Sequence, residues 1–178
     1  SRLSAEIRGT DQAIRNSLDG QALIDTAEGA HKEIENILQR MREVTIQAAN
    51  DTNNDQDRAN LQAEIEAMTT EIDRIAGTTT WAGADLMEDA TTTFSFQVGA
   101  ATGTQNQIAV TIKTMNATGL AVGAGSASTI DVETSGATAN AGTALIDAAI
   151  EDVNIQRSEL GAVSNRLNHT VNNLTNIS

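Results

Sequence analysis

The stretch LQAEIEAMTTEIDRIAGTT (61–79) decides the fold. Leu61, Ile65, Met68, Ile72 and Ile75 step by four, three, four and three residues. That spacing places all five on one stripe of a helix, and it is the seam spacing of helices packed lengthwise. Asn53, Asn54, Asp55 and Asp57 stand just before the stripe. They offer oxygens and negative charge to the free N–H groups and positive dipole end of a helix start. Gly77 supplies a stop. A helix is expected over 54–76.

Working outward, the C-terminal part repeats the pattern. Ile146, Val153, Leu160, Leu167 and Leu174 are seven apart, with Ala149, Val163 and Ile177 as an alternate layer that Gln156 and Thr170 weaken. Heptads sustained this long predict a coiled-coil-like rod helix over 140–178. Gly161 inside it would let a neighbouring helix approach. Toward the N-terminus, Leu3, Ile7, Ile14, Leu18, Leu23, Ala27, Ala30, Ile34, Ile37, Met41 and Ala48 keep a helical period over 1–49. Asp11–Arg15 and Glu28–Lys32 are opposite charges four apart, which support a helix. Gly9, Gly20 and Gly29 each cost about 1 kcal/mol relative to Ala, so propensity alone breaks the helix near Gly20. Unbroken, it would run roughly 70 Å. Its stretch NILQRMREVTIQAAN (36–50) interrupts the apolar period with Arg40, Arg42 and Glu43, which raises the question of a task for the charged flank.

Between the helical parts, 77–143 is rich in Thr, Gly, Ala and Ser. Phe94, Phe96 and Val98 alternate with polar neighbours, as do Ile108, Val110 and Ile112, which predicts a β-hairpin within 80–118. Its link, Gly99–Gln107, is too long for a two-residue turn. Residues 119–139 read as a short connection.

Composition narrows the function. The chain of 178 residues carries 24 Asp+Glu against 11 Lys+Arg, a net charge of −13. Such a surface repels phosphates and anionic membranes, so neither nucleic acid nor a membrane is an expected partner. Without Cys there is no disulfide framework, thiolate metal site or Cys nucleophile. Without Pro, very long helices are permitted. Aromatics are only 2%, so any core is aliphatic, which suits thin helix–helix packing. No apolar run approaches the roughly 18 residues of a membrane span, and no basic-then-apolar leader opens the chain. The start at Ser1 suggests a trimmed piece.

Candidate chemistry is weak throughout. Asp51, Asn53 and Asp55 have the spacing of a calcium loop, but Gln56 stands at the turn Gly and Gln62 at the bidentate Glu, so helix capping is the better account. His31 lacks a second His four residues on, and reads as solvated helix surface. Asp85, Glu88 and Asp89 cluster, but glycoside chemistry usually adds aromatic platforms and only Trp81 is near, so a charged turn is expected. Gly119, Gly123 and Gly125 form no phosphate-binding fingerprint. The Asn-x-Ser/Thr matches at Asn116, Asn168, Asn173 and Asn176 read as chance. No enzyme, metal or cofactor is expected; packing and surface point toward assembly.

The helical segments resemble bacterial flagellin. AEGAHKEIENILQRMREVTIQAANDTN (27–53) is similar to that family's long N-terminal rod helix, and 61–79 to its next helix. FSFQVGA (94–100) and VTIKTMNATGL (110–120) resemble its hairpin, and LGAVSNRLNHTVNNLTNIS (160–178) its C-terminal rod helix. The resemblance covers nearly the whole chain except 119–143, and Trp81 stands where Phe is usual. It implies a mainly α, elongated antiparallel helical bundle with a small β-hairpin region, and one rod domain over 1–178. It implies that the N-terminal helix continues through the glycines, and that the first and last helices pair side by side. It also implies a structural subunit of the motility filament that is extracellular and secreted without a cleaved signal peptide.

The terminal inner-tube segments of flagellins are missing here, so the resemblance implies a truncated, monomeric rod that does not polymerise with other flagellin subunits. In the family, the rod surface makes neighbour contacts, and in many members it is read by the flagellin-sensing Toll-like receptor. The matching positions are Arg40, Val44 and Glu64; Val44 stands where Leu is usual. A rival reading is a flagellin-family adhesin or polysaccharide-binding protein, which needs an aromatic platform the composition does not offer. An enzyme grafted onto the rod is a third, for which 119–143 is too short.

Overall fold

The computed structural model describes residues 1–88, 91–99, 106–123 and 130–177. Among them run three helices: α1 (Arg2–Ala48), α2 (Asp55–Thr78) and α3 (Gly136–Ile177). Four strands form two antiparallel hairpins: β1 (Thr80–Trp81) with β2 (Ala84–Asp85), and β3 (Thr92–Gln97) with β4 (Gln107–Ile112). The chain is mainly α with a small β region, as expected.

The helix α1 is unbroken across Gly20, which propensity alone would not allow. A Cβ at Gly20 would lie 2.9 Å from Leu167 Cδ1 and 3.3 Å from Phe96 Cδ2. The missing side chain is what lets α1, α3 and β3 meet there, and that packing offsets the propensity cost.

The long helices are antiparallel. Along α1 the contacts to α3 run Gly20–Leu167, Gln21–Ser164, Glu28–Arg157, Arg42–Asp147 and Thr45–Thr143, one number rising as the other falls. Leu23, Ala27, Ala30, Ile34, Leu38, Met41 and Ala48 are buried against the other elements. The expected α3 seam is buried at Ile146, Val153, Leu160 and Leu167, while Leu174 is half-buried. In the alternate layer Ala149 is buried and Val163 half-buried; the Ile177 side chain lies outside the described residues. On α2, Leu61, Ile65, Ile72 and Ile75 are buried, and Met68 packs on the core while partly exposed.

The first turns of α1 correct the expected stripe. Leu3, Ile7 and Leu18 are 66%, 47% and 48% exposed, and the inward line passes instead through Ala13, Ser17 and Gly20. Small residues face inward there because β3 lies close: the Asn16 amide donates to Gln97 O at 2.9 Å. The expected helix-supporting pairs turn elsewhere, Arg15 donating to Gln12 Oε1 and Glu28 engaged by Arg157.

Helix ends follow the capping chemistry. Asn54 caps α2 and Asp57 reciprocates, with Asp57 N–H donating to Asn54 Oδ1 (2.8 Å) and Asn54 N–H to Asp57 Oδ2 (3.0 Å). The helix passes Gly77 and stops at Thr79, whose extended backbone and hydroxyl both bond Ile75 O. Gly77 serves approach rather than termination, since a Cβ there would meet Glu88 Oε2 at 2.6 Å. The last helix begins at Gly136, four residues before the expected start, because Ser135 and Thr138 cap each other's N–H groups.

The second hairpin has the expected faces, with Phe94 opposite Val110 and Phe96 opposite Ile108. The first was not anticipated. Its two-residue turn holds Ala82 and Gly83 at φ of 50° and 82°, the conformation that twists a tight hairpin correctly.

Candidate functional site

No group of three or more His, Cys, Asp or Glu among the described residues could hold a metal ion. No helix among the described residues is long and apolar enough to cross a membrane. The carboxylate cluster disperses: Asp85 pairs with Thr80 in the first hairpin, Glu88 lies over Gly77, and Asp89 is outside the described residues. Asp51, Asn53 and Asp55 build a helix corner, where the Asn53 amide donates to Gln47 O and Asn50 O. Gly125 is outside the described residues, while Gly119 closes a turn with its N–H on Asn116 Oδ1.

The surfaces that remain are helix faces. On α1, Arg40 reaches Glu43 Oε2 at 2.9 Å on its own helix and Glu64 Oε1 at 3.7 Å on α2. All three side chains are about half exposed or more, and such pairs add little stability. They place the Arg40 guanidinium between a carboxylate of α1 and one of α2, with more than half of its side chain in solvent. Next to it a cleft of about 400 Å³ is lined by Gln47, Asn53, Asp57, Asn60, Leu61 and Glu64. Of the three positions marked by the flagellin resemblance, Arg40 and Glu64 therefore sit together on one face. Val44 does not join them. It is 0% exposed, turned inward on the line that runs Met41, Val44, Thr45 and Ala48. Four residues carry a helix around by 400°, and the 40° surplus moves Val44 from the Arg40 flank into the core.

Four interior polar groups were not singled out as sites by sequence. Arg58 is buried and donates to Ala48 O (2.7 Å), Asn50 O (3.3 Å) and Val132 O (3.4 Å). It thereby caps the free carbonyls at the end of α1 from a neighbouring helix. Gln62 accepts from Val132 N–H at 2.8 Å and donates to Ile130 O at 3.2 Å. Gln156 accepts from Lys113 N–H at 2.9 Å and donates to Thr111 O at 3.1 Å. Each glutamine pairs its amide with alternate backbone groups, as an added strand would. Rather than weakening its layer, Gln156 closes the edge of β4.

The fourth group is a charged, partly exposed layer along the α1–α3 seam, with a buried ring at its centre. Arg157 donates to Glu28 Oε1 from Nε (2.9 Å) and pairs Nη1 with Glu35. Between these glutamates on α1 lies His31, which is 0% exposed and whose ring nitrogens have no hydrogen-bond partner. The expectation of a solvated His31 is corrected: α3 covers it. Burial chiefly, opposed by Glu28 and reinforced by Arg157, lowers its pKa from 6.5 to about 4.

Comparison with known proteins agrees with this architecture. Residues 1–92 match the bacterial flagellin N-terminal helical region and residues 143–178 the bacterial flagellin C-terminal helical region. A flagellin of Halalkalibacterium halodurans is 41% identical over 177 residues, covering 99% of this chain and 63% of that protein. A flagellin of Bacillus subtilis is 39% identical over 202 aligned positions, covering 98% of this chain and 66% of the relative. This chain thus spans a little under two thirds of the length of these relatives. The crystal structure of Bacillus cereus flagellin superposes with a TM-score of 0.72 at 31% identity, covering 90% of this chain and 88% of that one. With both long helices matched in order and the hairpins seated between them, the chain belongs to the bacterial flagellin family.

Proposed function

We propose that this chain is the helical rod of a flagellar filament subunit, exported from the cell and doing structural rather than catalytic work. The observation that carries the reading is the lengthwise antiparallel pairing of α1 with α3, in a chain whose both long helices match flagellin regions. In the whole protein its partners are other flagellin subunits. In dilute solution we expect the 178-residue chain to be a non-polymerising monomer, its net charge of −13 favouring solubility over self-association. The rod reads as one domain over 1–178, since α1 touches α2, α3 and both hairpins. An adhesin reading lacks an aromatic platform; Phe94 and Phe96 are taken up in packing on the core.

We further propose that the Arg40–Glu64 face is what a flagellin-sensing Toll-like receptor reads on this rod, with Val44 supporting it from beneath. Half-exposed Arg40, lying between two carboxylates, presents guanidinium donors to solvent at this face. A single chimera tests both readings: residues 1–178 replace the matched stretch of the Bacillus subtilis flagellin in a strain lacking its own. Filaments by electron microscopy are the expected result, and exported chimera without filaments would overturn the subunit reading. In a receptor reporter assay the Arg40→Ala, Glu64→Ala chimera is expected to signal at least tenfold more weakly than the parent chimera. Equal signalling by both would remove the receptor assignment and leave the subunit reading standing.

A further inference from the structure

Most polar groups in this interior have a partner; the His31 ring does not. It sits one turn from Glu28 and one turn from Glu35 on α1, so either carboxylate could have balanced a charged imidazole. Both are already held by Arg157 of α3, and the Asn154 amide also faces Glu35, 3.2 and 3.3 Å from its carboxylate oxygens. The remaining charges around this layer are also committed. Arg74 of α2 pairs with Glu71 and feels Glu33, while Lys113 at the end of β4 faces Glu159 of α3. Lys32 and Asp85 are exposed. A neutral ring fits this buried space at the cost of an unmade donor and an unmade acceptor bond. A protonated ring there is buried, has both nearby carboxylates taken by Arg157, and has that guanidinium's charge against it.

We propose that His31 is an acid-responsive element of the rod, and that protonating its ring opens the α1–α3 seam at the Arg157 layer. The unfolded chain binds the proton near pH 6.5, whereas the folded chain resists it down to about pH 4. Between those values the unfolded state holds the extra proton, so folding weakens as pH falls. Above the window the proton-linked loss vanishes; below it that loss is fully present, on the order of a hundredfold in the folding equilibrium.

Denaturant unfolding of the 178-residue chain and its His31→Leu variant at pH 7.5 and pH 4 reads this directly. Protonation of the carboxylates weakens both proteins and cancels in the comparison. The wild type is expected to lose on the order of a hundredfold more than His31→Leu between the two pH values; equal losses would overturn the proposal. A second measurement needs no change at position 31. In His169→Gln, which leaves a single imidazole to follow, the ring is expected to stay neutral until about pH 4 by nuclear magnetic resonance. Its protonation is then expected to coincide with faster amide exchange over residues 154–160. Protonation near pH 6.5 with unchanged exchange would sink the idea.

Discussion

At the scale of single residues, the interior is decided by polar groups that imitate backbone. Gln156 is fully buried, yet it finishes the hydrogen bonding of β4 through Thr111 O and Lys113 N–H. Replacing it with Leu keeps the volume and strands two backbone groups. Gln156→Leu is therefore expected to destabilise the chain by about 1–3 kcal/mol in urea unfolding. A loss within experimental error would mean that water reaches that edge. These residues were only half legible beforehand. A glutamine on an apolar stripe reads as a flaw, because the strand edge that uses it lies 43 residues away in sequence. His31 was missed for the same reason. Flanked by Lys32 and Glu33 it reads as surface, and only the arrival of α3 buries it. The matching positions Arg40 and Glu64 are exposed in the structure, whereas Val44 turned inward.

At the scale of elements, periodicity carried most of the fold. The 4-3-4-3 spacing of α2 and the heptads of α3 reappear as buried faces, and the alternation of 94–98 and 108–112 reappears as one register. Element ends were less legible, since the Ser135–Thr138 cap and the Thr79 stop rest on hydroxyl geometry that spacing does not reveal. The first hairpin left no trace because strands of two residues cannot alternate. The seam itself yields a prediction. Leu160 is 1% exposed in the middle of α3, so Leu160→Ala is expected to cost roughly 2–5 kcal/mol by opening a cavity. Ile155→Ala, at a position 44% exposed, serves as the control with a much smaller loss. Thermal melts with equal losses for the two would contradict the seam.

At the scale of the whole molecule, the chain has one spine. Most of the packing between elements runs through α1 or α3, and the aliphatic core is drawn out along them. A helix of 47 residues is roughly 70 Å long. A compact chain of this size would have a radius of gyration of about 16 Å. Small-angle scattering is expected to give a clearly larger radius, the longest distance at or above the length of α1, and a monomer mass. A near-spherical profile would rule out lengthwise pairing. This architecture was legible because its driving force is a repeated stripe. The network around Arg58 and Arg157 was not, because its pairs join different elements, Arg58 reaching Val132 and Arg157 reaching Glu28 and Glu35 across more than 70 residues of chain.

The antiparallel arrangement also sets how the rod bears load. The first turns of α1 and the last turns of α3 lie at the same end, beyond the Gly20–Leu167 crossing. Tension pulling those two strands of the rod apart would act on the seam as on a zipper, one layer at a time. Gly20–Leu167 would part first, the Arg157 ion layer next, and the Arg58 clamp at the far end last. Tension that slides the two helices past each other along the rod axis would instead load every layer at once. The molecule is therefore mechanically stiff along its length and compliant at one mouth.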